Sequence, residues 1–161
     1  MNRDEKRAGV GSHGTKGTET PGADSLLAAP NPHFGLDIPF MHHLGLVPVS
    51  FEGDRVIARL PRARYLENSR GDYHGGVLMS VLDFILSVSA RSHDPLGTGV
   101  ITIEMSTHFI AAARSELTIE SRLIRRGARI AFCEGTITDA EGELVCLARA
   151  AFKLVPRRPS T

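Results

Sequence analysis

Apolar and polar residues alternate with a period of two along residues 47–51, and again along 55–60, where Val56, Ala58 and Leu60 oppose Arg55 and Arg59. The intervening Glu52-Gly53-Asp54 is a turn sequence, so the two runs predict a hairpin. The pattern changes at residues 75–91, a stretch rich in Leu, Val, Ile and Met with no Gly or Pro after Gly76. This predicts one long helix, apolar almost all round and therefore buried. A loop at 93–99, marked by Asp94-Pro95 and two glycines, precedes strand-like runs at 100–111, 116–126 and 129–138 in meander order, and a fourth at 143–155. Asp139-Ala140-Glu141-Gly142 joins the last two as a hairpin. Residues 34–46, with His42 and His43 among apolar neighbours, predict a short helix or turn. The layout is α+β, an antiparallel sheet wrapped on one central helix.

Composition sets the boundaries of this picture. A chain of 161 residues, 42% hydrophobic and 23% charged, has the length of one ordinary domain. Residues 1–30 hold four basic and four acidic side chains, five glycines and little to bury, so they are expected to form a disordered tail. The domain is expected over 31–157, followed by a short C-terminal tail at 158–161. A net charge of +1 supplies no global field for a nucleic-acid backbone. The apolar run at 77–90 is interrupted by Ser80, Asp83, Ser87 and Ser89 and falls short of the roughly 20 residues of a bilayer span. The first 24 residues lack the apolar core of a secretory signal, so a cytoplasmic protein is expected. Cys133 and Cys146 are too few for a disulfide framework or a zinc site. Paired around the 139–142 turn, they would sit diagonally on one face as reduced core residues.

The predicted helix carries an anomaly. Ser80, Asp83 and Ser87 fall at i, i+3 and i+7, a polar stripe on an otherwise apolar element. The stripe faces solvent or a symmetry partner, or else Asp83 is a general base or nucleophile in a partly dry cleft. Just before the helix stands Asn68-Ser69-Arg70-Gly71-Asp72-Tyr73-His74-Gly75-Gly76. Glycines at a helix N-terminus let a ligand approach free N–H groups that favour developing negative charge, which makes an oxyanion hole. The plainer alternative is a connector in which His74 caps the helix. Gly75 and Asp83, eight residues apart, are separated by roughly 12 Å along the axis, so one helix cannot bring both to one carbonyl. A second copy running antiparallel can. The spacing therefore predicts a two-fold dimer with two sites, each taking Asn68, His74 and Gly75 from one subunit and Asp83 from the other.

Asn68, His74-Gly75-Gly76 and Asp83, the strand at 100–113 and the segment 123–132 together resemble the hotdog-fold acyl-CoA thioesterases of the phenylacetate-degradation (PaaI-like) type, over about residues 44–154. The resemblance implies a hotdog fold, a dimer that pairs into a tetramer, and an acyl-coenzyme A substrate cleaved without metal or redox cofactor. It implies that the Gly75 amide polarises the thioester carbonyl, that His74 and Asn68 position thioester and water, and that Asp83 is the nucleophile or the base. An assisting strand hydroxyl corresponds best to Thr102. One departure from the family pattern is the absence of a proline in Phe109-Ile110-Ala111-Ala112-Ala113. Gly76 borders the substrate, and Arg125, Arg126 and Arg129 around Gly127 are candidates for the coenzyme A phosphates, since guanidinium groups hold phosphates bidentately. A solvated strand end is the bland alternative for these arginines. His42, His43, His93 and His108 have no defensible ligand spacing. A hotdog hydratase or dehydratase, and a non-catalytic acyl-CoA binding protein, are the alternative functions.

Overall fold

The computed structural model describes residues 23–28 and 32–157. Two short helices, α1 (Ala23–Leu27) and α2 (Pro39–Leu44), lead into the hairpin β1 (Val47–Glu52) and β2 (Arg55–Leu60). The long helix α3 (Gly75–Ala90) follows, and then β3 (Thr98–Phe109), β4 (Leu117–Arg126), β5 (Ile130–Thr138) and β6 (Leu144–Pro156). Each predicted element is present within a few residues of its expected ends. None of the described helices is long and apolar enough to cross a membrane.

The strands form one antiparallel sheet in the order β1-β2-β4-β5-β6-β3. The expected meander holds for β4, β5 and β6 but not for β3, which pairs with β6 at the sheet edge. Tight reversal from β3 into β4 would need a turn sequence, and residues 110–116 supply alanines instead of Gly or Asn. Both sides of β4 are then taken by β2 and β5.

One face of the sheet wraps α3, whose Val81, Leu82, Ile85, Leu86 and Val88 are fully buried against Ile119, Cys133, Ile137 and Phe152. Close approach is possible because β5 offers Gly135, where a Cβ would stand 2.8 Å from the Glu120 carbonyl oxygen. Between helix and sheet, Ser89 and Ser121 share a hydrogen bond of 2.6 Å, and the Ser121 hydroxyl donates to the Ile85 carbonyl at 2.9 Å. A polar pair in the core is thereby satisfied.

Two expectations need correction. The segment 23–28, expected within a disordered tail, holds α1, whose Leu26 is 2% exposed and whose Leu26 carbonyl accepts the Gly35 N–H at 2.7 Å. Leu26 in a dry pocket, with Leu27 packed against the core, anchors this turn. The remainder of that expected tail, and the C-terminal tail, lie outside the described residues. The cysteines are free and buried as expected, but they are not diagonal neighbours. Cys146 lies opposite Ile137 and Cys133 opposite Ala150, four positions apart on one face or about 13 Å at strand rise. A one-residue shift at Ile137/Thr138, added to a 139–143 loop one residue longer than the 139–142 turn and held by the Asp139 carboxylate, moves the register by two. Burial pushes the two thiols up, Cys133 to about 12 and Cys146 to about 11, so neither is a thiolate at neutral pH.

Candidate functional site

The loop before α3 is built by its own side chains. Asn68 Oδ1 accepts the Arg70 N–H at 2.8 Å and the Asp72 N–H at 3.3 Å, while its Nδ2 donates to the Tyr73 carbonyl at 3.5 Å. Asn68 therefore holds the loop in shape. Asp72, buried, accepts from Arg114 Nε at 2.6 Å, a partner 42 residues away that no local sequence signal announces. Tyr73 donates its hydroxyl to the Leu60 carbonyl at 3.1 Å, and burial raises that phenol to about 12. These three contacts fix the path by which the chain enters the helix.

His74 is the N-cap of α3, its Nδ1 accepting the Gly76 N–H at 3.0 Å. The capping alternative is thus realised, and it has a chemical consequence. With Nδ1 occupied as an acceptor, the ring proton of neutral His74 resides on Nε2, which points away from the cap. The Gly75 N–H, first in the helix, has no acceptor among the described residues. A Cβ at Gly75 would meet only the Phe109 ring, at 3.4 Å and 3.5 Å, an ordinary contact, and Gly75 does not have a positive φ. Neither backbone conformation nor packing within the chain requires glycine here. What the missing side chain provides is open space beside a free donor.

Eight residues further along α3, Asp83 Oδ1 accepts a hydrogen bond of 2.9 Å from Thr102 Oγ1. The helix stripe and the strand hydroxyl are therefore brought together, on the same chain. Ser80 and Ser87, the other members of the stripe, donate instead to carbonyls of their own helix, Gly76 at 2.7 Å and Phe84 at 2.6 Å. Of the three, Asp83 alone brings a carboxylate, and its second oxygen has no partner among the described residues. The two halves of the expected site do not meet within one subunit. Asp83 stands beside Thr102 near the start of β3, whereas Gly75 lies against Phe109 at its end.

Arg125, Arg126 and Arg129 are exposed at the β4-β5 hairpin tip, and none has a carboxylate partner among the described residues. Register runs from Thr102 through Phe152 and Ala131 to Arg126, so this tip shares the Asp83 end of the sheet. By contrast, Arg55, Arg122 and Arg149 on the outer sheet face are paired with Glu120 and Glu134, and Arg122 holds the Glu134 carboxyl below its usual range.

Sequence reasoning missed three features around the helix. Arg91, 2% exposed, donates to the Pro95 and Phe34 carbonyls. Burial lowers its guanidinium to about 10. His33, also buried, lies 4.3 Å from the His42 ring and contacts Phe84 edge-on, while His42 pairs with Asp37 at 2.9 Å. Phe109 was seen only as part of an alanine-rich segment, and its position over Gly75 depends on the pairing of β3 with β6.

Comparison with known proteins agrees with this architecture. Residues 70–146 match the family described as Thioesterase superfamily. A provisionally named esterase of Halobacterium salinarum is 26% identical over 107 residues, 60% of this chain and 71% of that protein. A conserved protein of Pseudomonas aeruginosa superposes with a TM-score of 0.70 at 26% identity, covering 74% of this chain and 95% of the other. The PaaI protein of the E. coli phenylacetic acid degradation operon superposes with a TM-score of 0.69 at 16% identity, covering 74% and 86%. The chain has the hotdog fold, and its residues 70–146, which hold His74, Gly75, Asp83 and Thr102, match the thioesterase superfamily.

Proposed function

We propose that the protein is an acyl-CoA thioesterase that works as a two-fold dimer. The superfamily match and the esterase relative support ester or thioester hydrolysis in general. The observation that carries the finer reading is the split site. Gly75 offers an unused N–H at one end of β3, and Asp83, oriented by Thr102, offers an unused carboxylate oxygen at the other. A second copy running antiparallel supplies each with what it lacks. Edge strand β3 supports such pairing, since it is 12 residues long and leaves its outer backbone unpaired, with Ile101 and Ile103 exposed. Pairing of dimers into a tetramer belongs to the same proposal.

In this arrangement the Gly75 N–H binds the thioester carbonyl oxygen at the positive end of α3. Asp83 of the partner subunit, held by Thr102, either takes a proton from water as the water oxygen bonds to the carbonyl carbon, or adds to that carbon itself. The oxyanion collapses, the C–S bond breaks and coenzyme A leaves as its thiolate, which recovers a proton. When Asp83 is the nucleophile, water then cleaves the acyl-enzyme anhydride. His74 Nε2–H faces the thioester and water, Asn68 keeps the loop in register, and Gly76 leaves room for the substrate. Arg125, Arg126 and Arg129 hold the phosphates of coenzyme A.

The test is free-thiol release and alkene absorbance, followed together over a panel of acyl-CoAs, with the mass of the active species measured by analytical ultracentrifugation. Thiol release by a dimer or larger species supports the proposal. Change in alkene absorbance without thiol would make the protein a hydratase or dehydratase, and tight binding with neither signal would make it a binding protein. An active monomer would overturn the shared site.

A further inference from the structure

The Phe109 side chain is out of keeping with its register. It lies opposite Cys146, a fully buried residue, on the face of β3 that turns toward α3, yet it is 53% exposed. The cause is the helix tip beside it. Gly75 has no side chain to cover the ring, whose nearest atoms would stand 3.4 Å and 3.5 Å from a Cβ there, so the side of the ring facing Gly75 stays open.

The backbone under this ring is fixed. Ile110 and Ala111 both donate their N–H groups to the Val145 carbonyl, at 2.9 Å and 3.2 Å, and the Tyr73 N–H donates to the Ala113 carbonyl at 3.1 Å. Alanine at 111 makes a bond that a proline there could not, because proline has no N–H. The segment that departs from the family pattern is thus tied on one side to β6 and on the other to the loop that enters α3. A ring held this way is presented at low entropic cost to whatever binds beside it.

We infer that Phe109 is a specificity-determining residue that packs its open face on the carbon chain flanking a thioester bound at Gly75. The inference rests on the thioesterase reading above and adds a residue to it. A carbonyl oxygen within hydrogen-bond reach of the Gly75 N–H brings its neighbouring methylenes into van der Waals range of a ring that touches the Gly75 Cα substituent position. An aromatic face there removes apolar carbon from water.

The experiment compares Phe109→Ala and Phe109→Leu with the unaltered protein on acyl-CoA thioesters, measuring kcat and KM separately, together with thermal midpoints and calorimetric binding of a non-hydrolysable acyl-CoA thioether. Phe109→Ala is expected to raise KM and the thioether Kd about tenfold with kcat within about threefold. Phe109→Leu should recover most of the affinity, since it restores apolar area without the ring. Unchanged KM and Kd in folded Phe109→Ala, or a loss of affinity of tenfold or more in folded Phe109→Leu, would overturn the inference while leaving the thioesterase reading intact. Absence of thiol release by the unaltered protein would instead defeat the reading on which it stands.

Discussion

The two ends of α3 obey opposite rules. At its C-terminal end the long-range polar contacts serve the fold, although Arg91 Nε and the Ser92 hydroxyl have no hydrogen-bond partner among the described residues. Arg91 reaches back to Phe34 and across to Pro95, and Ser89 and Ser121 satisfy each other above the Ile85 carbonyl. At its N-terminal end the capping His74 leaves Nε2 outward, the Gly75 N–H has no acceptor among the described residues, and the neighbouring aromatic ring is half uncovered. Both ends belong to one helix with one core, so the contrast does not come from helix stability. Leaving strong donors unused and an apolar ring exposed gains the fold nothing, and chemistry is what such an end can serve. Asp83, midway, belongs with the open end, because its one partner among the described residues is a hydroxyl and its other carboxylate oxygen has none there.

The sharpest way to break this comparison is to alter one member of each end. Asp83→Asn keeps volume and removes the charge, so thiol release should fall on the order of 1,000-fold while the thermal midpoint moves by only a few degrees. Parallel loss of folding would move Asp83 to the structural end. Arg91→Ala should do the reverse. It strands two buried carbonyls and opens a void, for a loss of about 3 kcal/mol in denaturant unfolding, with kcat per folded molecule nearly unchanged. Thr102→Val should lower kcat about tenfold with KM little changed, because the hydroxyl orients the carboxylate without binding substrate in the ground state. Arg126→Ala with Arg129→Ala should raise KM for acyl-CoA several-fold at constant kcat, more steeply at low salt than at high. A fall in kcat alone would contradict phosphate holding.

The smallest effect concerns pH. Burial, then the nearby His42, lowers the His33 pKa from the ordinary 6.5. The unfolded chain therefore takes the proton first, so this residue's contribution to stability is complete above about pH 6.5 and is lost as the pH falls from there toward the folded-state value. Thermal midpoints between pH 7.5 and 5.5 should fall on the acid side, and His33→Gln should flatten that slope. Other groups facing the ring modulate it, with Asp37 pulling the pKa up and Leu46 accepting a backbone hydrogen bond. An unaltered slope in His33→Gln would assign the acid limb to another group.

Much of the fold was legible because local periodicity and burial coincide. The alternation around Glu52-Gly53-Asp54, the apolar run after Gly76 and the strands beyond Gly99 each state their own element, and α3 begins at Gly75 as its loop sequence predicts. The polar stripe was equally visible, since Asp83 breaks an apolar pattern that helical geometry makes strict. Register was not visible. The displaced Cys146 depends on a one-residue shift at Ile137/Thr138, at the end of β5 beside a loop that composition alone reads as a tight turn. Leu26 could not announce its burial, because a short apolar stretch in a polar segment gains a pocket only when Gly35 and the rest of the domain are already in place.

The chain by itself determined which elements form and which residues bear chemistry, since helix and strand preferences, capping and apolar spacing act over a few residues. Tertiary structure decided which of those residues meet. Thr102 found Asp83 across 19 residues, Arg114 found Asp72 across 42, and Phe109 came to rest on Gly75 only because β3 chose the β6 edge. Contacts of this kind depend on where strands lie in a sheet, a property of the whole packed core that no short window of sequence contains.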